Sequence, residues 1–158
     1  MASRVIVFPV DDSDDSQRSF DWLVANLFKE TDEIHLIHVI PRLAYATTYV
    51  AAAVDFNPGI DRNKYEATVH KVEEFIVKRF LSRYPESSKT TPFVHIIKSE
   101  TDSGSIGHVI CSKAEELHAA CVVMGNHVKG PVREFFMGSV SNYIMKHCKL
   151  PVLIARNI

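Results

Sequence analysis

VVMGNHVKGPVREFFMGSVSNYIMKHCKLPVLIA, residues Val122 to Ala155, contains two apolar strand-like runs, a glycine-bearing loop between them, and a helix opening at Gly138-Ser139. A strand ending in Met124-Gly125, then a loop, then a fresh helix N-terminus is a geometry suited to holding a phosphate. The first turn of a helix presents N–H groups without intrahelical partners and a partial positive charge. Gly138 lets backbone approach a ligand, and Ser139 and Ser141 add hydroxyl donors.

Working outward, the rest of the chain alternates strand and helix. Arg4–Val10 is a short apolar run rich in β-branched residues and reads as a buried strand. Asp15–Phe28 carries Phe20, Leu23, Val24 and Leu27 at helical spacing, with Ser13 or Asp14 as its N-cap. Glu33–Ile40 is a second strand, stopped by Pro41. Arg42–Asp61 is a long connection, part loop and part helix, of the kind that often carries function. Arg62–Arg83 reads as a helix with Val69, Val72, Ile76 and Phe80 on one face, and Tyr84–Thr91 breaks it. Pro92–Lys98 is a third strand, and Ser103–His118 a third helix with Asp102 or Ser103 as cap. Ala120–Met124, Ser139–His147 and Pro151–Ala155 complete the series as strand, helix and strand.

Strict alternation implies an α/β fold: a parallel sheet covered by helices on both faces. Right-handed crossovers leave few strand orders, and 3-2-1-4-5 is the expected one. Ligands in such sheets bind at the carboxyl ends of strands where the order turns back. Pro9, Val10 and Asp11, Val39, and Met124 with Gly125 all fall at such ends.

The bulk numbers set bounds. The 158 residues predict a single domain across 1–158. A net charge of -1, from 18 basic and 19 acidic residues, argues against wholesale nucleic-acid binding. No run approaches the roughly 18 apolar residues of a membrane span. The apolar stretch near the N-terminus is short and stops at Asp11-Asp12, so a cytoplasmic, reducing location is expected. Cys111, Cys121 and Cys148 show no Cys-x-x-Cys or metal spacing and read as reduced thiols packed as small hydrophobes. His35 and His38, three apart in a strand, face opposite ways and make no metal pair, while His118, His147 and Cys148 sit near helix ends. No catalytic set emerges: there is no Gly-Lys-Ser/Thr phosphate loop, no Gly-x-Ser-x-Gly elbow and no zincin motif.

The segment MGNHVKGPVREFFMGSVSNYI resembles the nucleotide-binding stretch of the universal stress protein (UspA-like) family, whose signature is glycine, two residues, glycine, nine residues, glycine, then serine or threonine. Gly125, Gly138 and Ser139 take the first, third and last places, and Val128 stands where the second glycine belongs. A β-branched residue resists positive φ, and its Cβ obstructs close approach to a phosphate chain. The opening strand with Asp11, the His38-Val39 pair and the closing Leu150–Ile154 are also similar to the family. The resemblance implies a Rossmann-like, adenine nucleotide alpha hydrolase-like domain that binds ATP or AMP, the triphosphate with Mg²⁺. It also implies a homodimer formed by antiparallel pairing of the strand Pro151–Ile158 with its twin.

On that implication Asp11 contacts the adenine side; on its own it reads equally as a cap for the next helix. Val39 supplies part of the base or ribose wall, or is a buried strand valine. Asn126 and His127 donate to phosphate oxygens, or form an exposed loop pair. Lys129 and Arg133 add positive charge near the phosphates, with a solvated surface role favoured for Arg133. Gly138, Ser139, Val140 and Ser141 form a phosphate-facing helix start, against the alternative of an ordinary N-cap by Ser139. Three functions are compatible with these residues: a dimeric nucleotide-regulated stress-response module, a dimerising interaction module that has lost its nucleotide through Val128, and a slow ATPase.

Overall fold

The computed structural model describes residues 3–41, 62–99, 106–126 and 138–156. The strands are β1 (Val5–Pro9), β2 (Glu33–Ile40), β3 (Phe93–Lys98), β4 (Cys121–Gly125) and β5 (Val152–Ala155). The helices are α1 (Asp14–Asn26), α2 (Arg62–Arg79), α3 (Ile106–Glu116) and α4 (Ser139–His147). All strand pairs are parallel and the order is β3-β2-β1-β4-β5, the expected one. The order turns back between β1 and β4, which creates a crevice at their carboxyl ends.

Apolar alternation assigns each strand residue to a face. Ile6 and Phe8 of β1, with Ile34, Leu36 and Ile40 of β2, pack against Phe20 and Leu23 of α1 and Val72, Phe75 and Ile76 of α2. Val7, Ile37, Val39, Val122 and Met124 point the other way, onto Ile110, Cys111 and Ala114 of α3 and Ile144 of α4. Covering on both faces explains why β1, β2 and β4 read as nearly continuous apolar runs. A fully buried Ile, Leu or Phe contributes roughly 1.5–3 kcal/mol, so these two layers hold the sheet's helices in place.

Helix ends follow local chemistry. Ser13 caps α1: its backbone is extended and its hydroxyl accepts the Ser16 N–H at 3.1 Å. That places the cap at Ser13 rather than Asp14. The predicted helix 62–83 divides in two: α2 stops at Arg79, Phe80 turns fully into the core, and Leu81–Arg83 forms a single 3-10 turn. α3 closes at its C-terminus through a left-handed residue, His118, with φ 51°. The His118 N–H bonds to Glu115 O and the Ala119 N–H to Ala114 O, both at 3.0 Å, which is the Schellman pattern usually built with glycine. The expected caps Asp102 and Ser103, and the connection 42–61, lie outside the described residues.

Both sheet edges, β3 and β5, have an outer side without a strand partner among the described residues. No described helix is long and apolar enough to cross a membrane.

Candidate functional site

β1 carries its pairing one residue past its end, because the Val10 N–H bonds to Ile37 O at 2.9 Å. The chain then turns into α1. The Asp11 N–H reaches Ser16 Oγ at 3.3 Å, so the loop is fastened to the first turn of the helix it precedes. A second tether comes from α2: Arg79 donates to Asp12 at 2.6 Å, to Asp14 at 2.8 Å and to Gln17 Oε1 at 3.2 Å. The Asp11 carboxylate is spared these tasks, since Ser13 caps the helix and Arg79 takes the flanking aspartates. Asp11 Oδ1 is buried with no hydrogen-bond partner among the described residues. A buried carboxylate oxygen left this way is costly, and the residue that carries it lines the crevice.

β4 brings Gly125 against α1. A Cβ on Gly125 would collide with Ser19 Oγ and lie 3.0 Å from Ser19 Cβ. This glycine is therefore required for close helix–strand packing. Asn126 continues the β4–β5 pairing through its N–H to Ala155 O at 3.1 Å, and its Oδ1 is a second buried acceptor with no partner among the described residues.

α4 opens at Gly138, which has φ −56° and ψ 153° and makes no side-chain cap bond. That conformation is available to any residue, so the value of glycine here is its missing side chain. Ser139 is the first helical residue, not the cap, which sets aside the N-cap alternative. Ser141 is buried, its hydroxyl 3.5 Å from Gly125 O. With no capping side chain among the described residues, the first N–H groups of α4 retain their hydrogen-bonding capacity and the positive end of the helix dipole.

These pieces enclose a cavity of about 510 Å³, within the range of small-molecule sites. Pro9, Val10, Asp11, Val39, Met124, Gly125, Gly138, Ser139, Val140 and Ser141 all line it, so the structure gathers ten of the sequence-predicted positions at one crevice. Asn126 lies beside it rather than on its wall. His127 and Lys129, together with Val128 and Arg133, lie outside the described residues.

Sequence reasoning passed over Asp15, Ser16, Ile37, His38, Ile106 and Ile110, which also line the cavity. Ile106 and Ile110 were legible only as the apolar face of α3. His38 is the most informative of these. It packs edge-on to Phe75 at 5.2 Å, and its Nδ1 lies 2.8 Å from Val10 O. Burial pulls its imidazole below the ordinary value, opposed by the Val10 carbonyl and the negative charge of Asp11. A neutral imidazole beside a carbonyl must carry its proton on Nδ1, which leaves Nε2 as an acceptor. His35, on the opposite face, is 2.9 Å from His95 on β3 and stacks on Phe93, as the three-residue spacing predicts. Among the described residues no group of three or more metal-ligating side chains comes together.

An open parallel α/β sheet with a crevice at its strand reversal is a class shared by many nucleotide- and cofactor-binding proteins. The universal stress protein family model matches residues 2–156, and the chain belongs to that family. Universal stress protein G of Salmonella typhimurium is 26% identical over 152 residues, covering 96% of this chain and 94% of its own. An uncharacterised Schizosaccharomyces pombe protein is 25% identical over 149 residues, and the chain spans only 22% of its length. Among solved structures, UspA of Lactobacillus plantarum superposes with a TM-score of 0.71 at 18% identity, covering 99% of both chains. A universal stress protein in complex with cAMP superposes at 0.62 with 15% identity, covering 100% of both.

Proposed function

We propose that this chain binds an adenine nucleotide, ATP or AMP, in the crevice between the carboxyl ends of β1 and β4, and that the bound nucleotide regulates the protein instead of being turned over. The observation that carries this reading is a buried Asp11 oxygen and an α4 N-terminus at one cavity, neither with a hydrogen-bonding side-chain partner among the described residues. The acceptor suits an amino group on a base, and the helix start suits an anion. Ile37, Val39 and Met124 provide apolar surface for a ring, and Ser139 a hydroxyl for phosphate oxygens. The cAMP complex of a related fold is consistent with a nucleotide of this size. A triphosphate would bring Mg²⁺, held chiefly by its own phosphates and water.

The protein acts as one domain, residues 1–158, in a cytoplasmic homodimer paired through β5 and the residues that flank it. An open edge of apolar residues favours such addition, and two-fold symmetry makes it self-complementary. Light scattering should give twice the 17.8 kDa chain mass; a monomer at micromolar concentration overturns the dimer.

Isothermal titration of ATP, and separately AMP, with Mg²⁺ tests the site. Wild type should bind at micromolar affinity. Asp11→Ala should weaken binding about tenfold, equivalent to about 1.4 kcal/mol. Gly138→Asp, which sets a negative charge at the helix start, should abolish it. Phosphate release should stay at background. If wild type fails to bind and Val128→Gly binds, the crevice persists without its ligand and the chain works as a dimerising interaction module.

A further inference from the structure

Glu33, His35, Phe93 and His95 share the face of the sheet that carries α3, where β3 pairs with β2 and His35 stands opposite Phe93. The His35 ring stacks on Phe93 with centroids 4.6 Å apart, and its Nδ1 lies 2.9 Å from His95 Nε2. The two imidazoles are within 9° of parallel, with centroids 5.1 Å apart. A centroid separation so far beyond the N···N distance sets the rings edge to edge in one plane, with the two nitrogens between them. That is an N–H···N hydrogen bond, in which one ring donates and the other accepts. His35 is only 6% exposed, and its Nε2 is buried with no hydrogen-bond partner among the described residues. Glu33 Oε2, 3.8 Å away, favours the proton on that nitrogen. His95 is therefore the donor, and the bond depends on an unprotonated His35 Nδ1. β3 has little burial to hold it in place. None of its residues from Phe93 to Lys98 is fully buried, and Phe93 and Val94 are 45% and 40% exposed. Among the described residues it pairs with β2 alone.

We propose that the His35–His95 pair is a proton-operated latch on the edge strand β3: it is closed while His35 is neutral and opens when His35 takes up a proton, releasing β3 from β2 and baring β2 as a new sheet edge. A proton on Nδ1 replaces the acceptor with a donor, so two N–H groups face each other and the bond is lost. The charged and titratable groups facing the pair are Glu33 on β2, and Lys113 and Glu116 on α3, which pair with each other at 2.7 Å. His95, His108, Lys113 and Glu116 also line a groove between β3 and α3, by which protons arrive. Burial holds His35 below its ordinary value, opposed by Glu33 and assisted by Lys113. Burial also lowers His95, followed by the charges of His35 and Lys113, against Glu116. Once β3 lifts away, both rings meet water and take up protons near their ordinary value of 6.5. Opening is thus linked to proton uptake, and its equilibrium rises about tenfold per pH unit below that value for each proton gained. The bared β2, an eight-residue strand with six buried positions, is then an edge able to accept another strand. The latch does not rest on the nucleotide reading, since neither imidazole lines that crevice.

The test is native-state hydrogen exchange of the full-length protein at pH 7.0 and pH 5.0, read by mass spectrometry and corrected for the intrinsic rate at each pH. Protection of the segment 93–98 should fall about tenfold or more at the lower pH, while the segments 5–9 and 121–125 keep theirs. His35→Phe leaves a ring on Phe93 and removes the titrating group. His95→Gln supplies an amide that donates to neutral His35 and, turned over, accepts from the protonated ring. Both variants should flatten the response of 93–98. Circular dichroism identifies a variant that fails to fold, and His35→Gln then replaces His35→Phe; His95 is partly exposed, so His95→Gln is the milder change. Unchanged protection of 93–98 in wild type, a loss shared equally by 5–9 and 121–125, or a response that survives intact in either folded variant would overturn the proposal.

Discussion

Gly125→Ala tests whether the fold and the crevice share a single packing contact. The new Cβ would run into Ser19 Oγ and stand 3.0 Å from Ser19 Cβ, with Asp15 O at 3.5 Å on its far side. Ser19 is only 2% exposed, and its hydroxyl donates to Asp15 O at 2.7 Å. The side chain has no free space to enter, so either α1 lifts from β4 or Ser19 abandons its bond. Overpacking of this kind costs about 1–3 kcal/mol, and a buried hydroxyl left without a partner costs about 1–3 kcal/mol. The protein takes the cheaper route, so a loss of about 2 kcal/mol is expected. With a urea slope of about 2 kcal/mol per molar, the midpoint falls by about 1 M. Ser19→Ala alone should cost about 1 kcal/mol for its hydrogen bond. The double variant should be more stable than the sum of the two by about 1 kcal/mol, because the colliding oxygen is gone while the 3.0 Å carbon contact remains. Urea unfolding followed by circular dichroism measures all four corners of the cycle. A Gly125→Ala midpoint equal to wild type, or strict additivity with Ser19→Ala, refutes the packing account and returns the glycine to a purely ligand-facing role.

Two other expectations concern the core and pH. Phe80 is fully buried where its ring meets Phe8 at 6.2 Å, Phe20 at 5.5 Å and Phe75 at 6.4 Å; Phe80→Ala should cost about 3–5 kcal/mol in urea unfolding, and a loss below about 1 kcal/mol would show that α2 does not depend on this aromatic cluster. His35, His38 and His95 are all lowered chiefly by burial, so the folded protein binds fewer protons than the unfolded chain as pH falls through their ordinary value of 6.5. Stability should therefore be fully present above that pH and decline below it, by at most about 1.4 kcal/mol per pH unit for each imidazole held neutral. Histidine NMR titrations should place all three below the ordinary imidazole value of 6.5; a His38 titrating at or above that value would contradict its burial against Phe75.

Much of this protein is determined by local sequence. β2 and α4 are legible to the residue, because Pro41 stops the one and Gly138 with Cys148 bounds the other. The α/β class and the order 3-2-1-4-5 follow from alternation and crossover handedness, which need no knowledge of contacts. The positions of Asp11, Val39, Gly125 and Gly138 at the crevice follow in turn, since each stands at a strand or helix end. Tertiary structure decided the rest, because the deciding partner is distant in the chain in every case. α2 gives way to a 3-10 turn because Phe80 has an aromatic cluster to enter, formed by residues from β1 and α1 as well as α2. Asp11 Oδ1 has no partner among the described residues, while Arg79, far along the chain, engages the neighbouring Asp12 and Asp14. His38 joins the cavity wall because the Val10 carbonyl orients its ring. Gly125 must be glycine because α1 brings Ser19 against it. Hydrophobic period and end signals are local properties of the chain, whereas a hydrogen-bond partner or a steric neighbour is supplied only when the sheet closes.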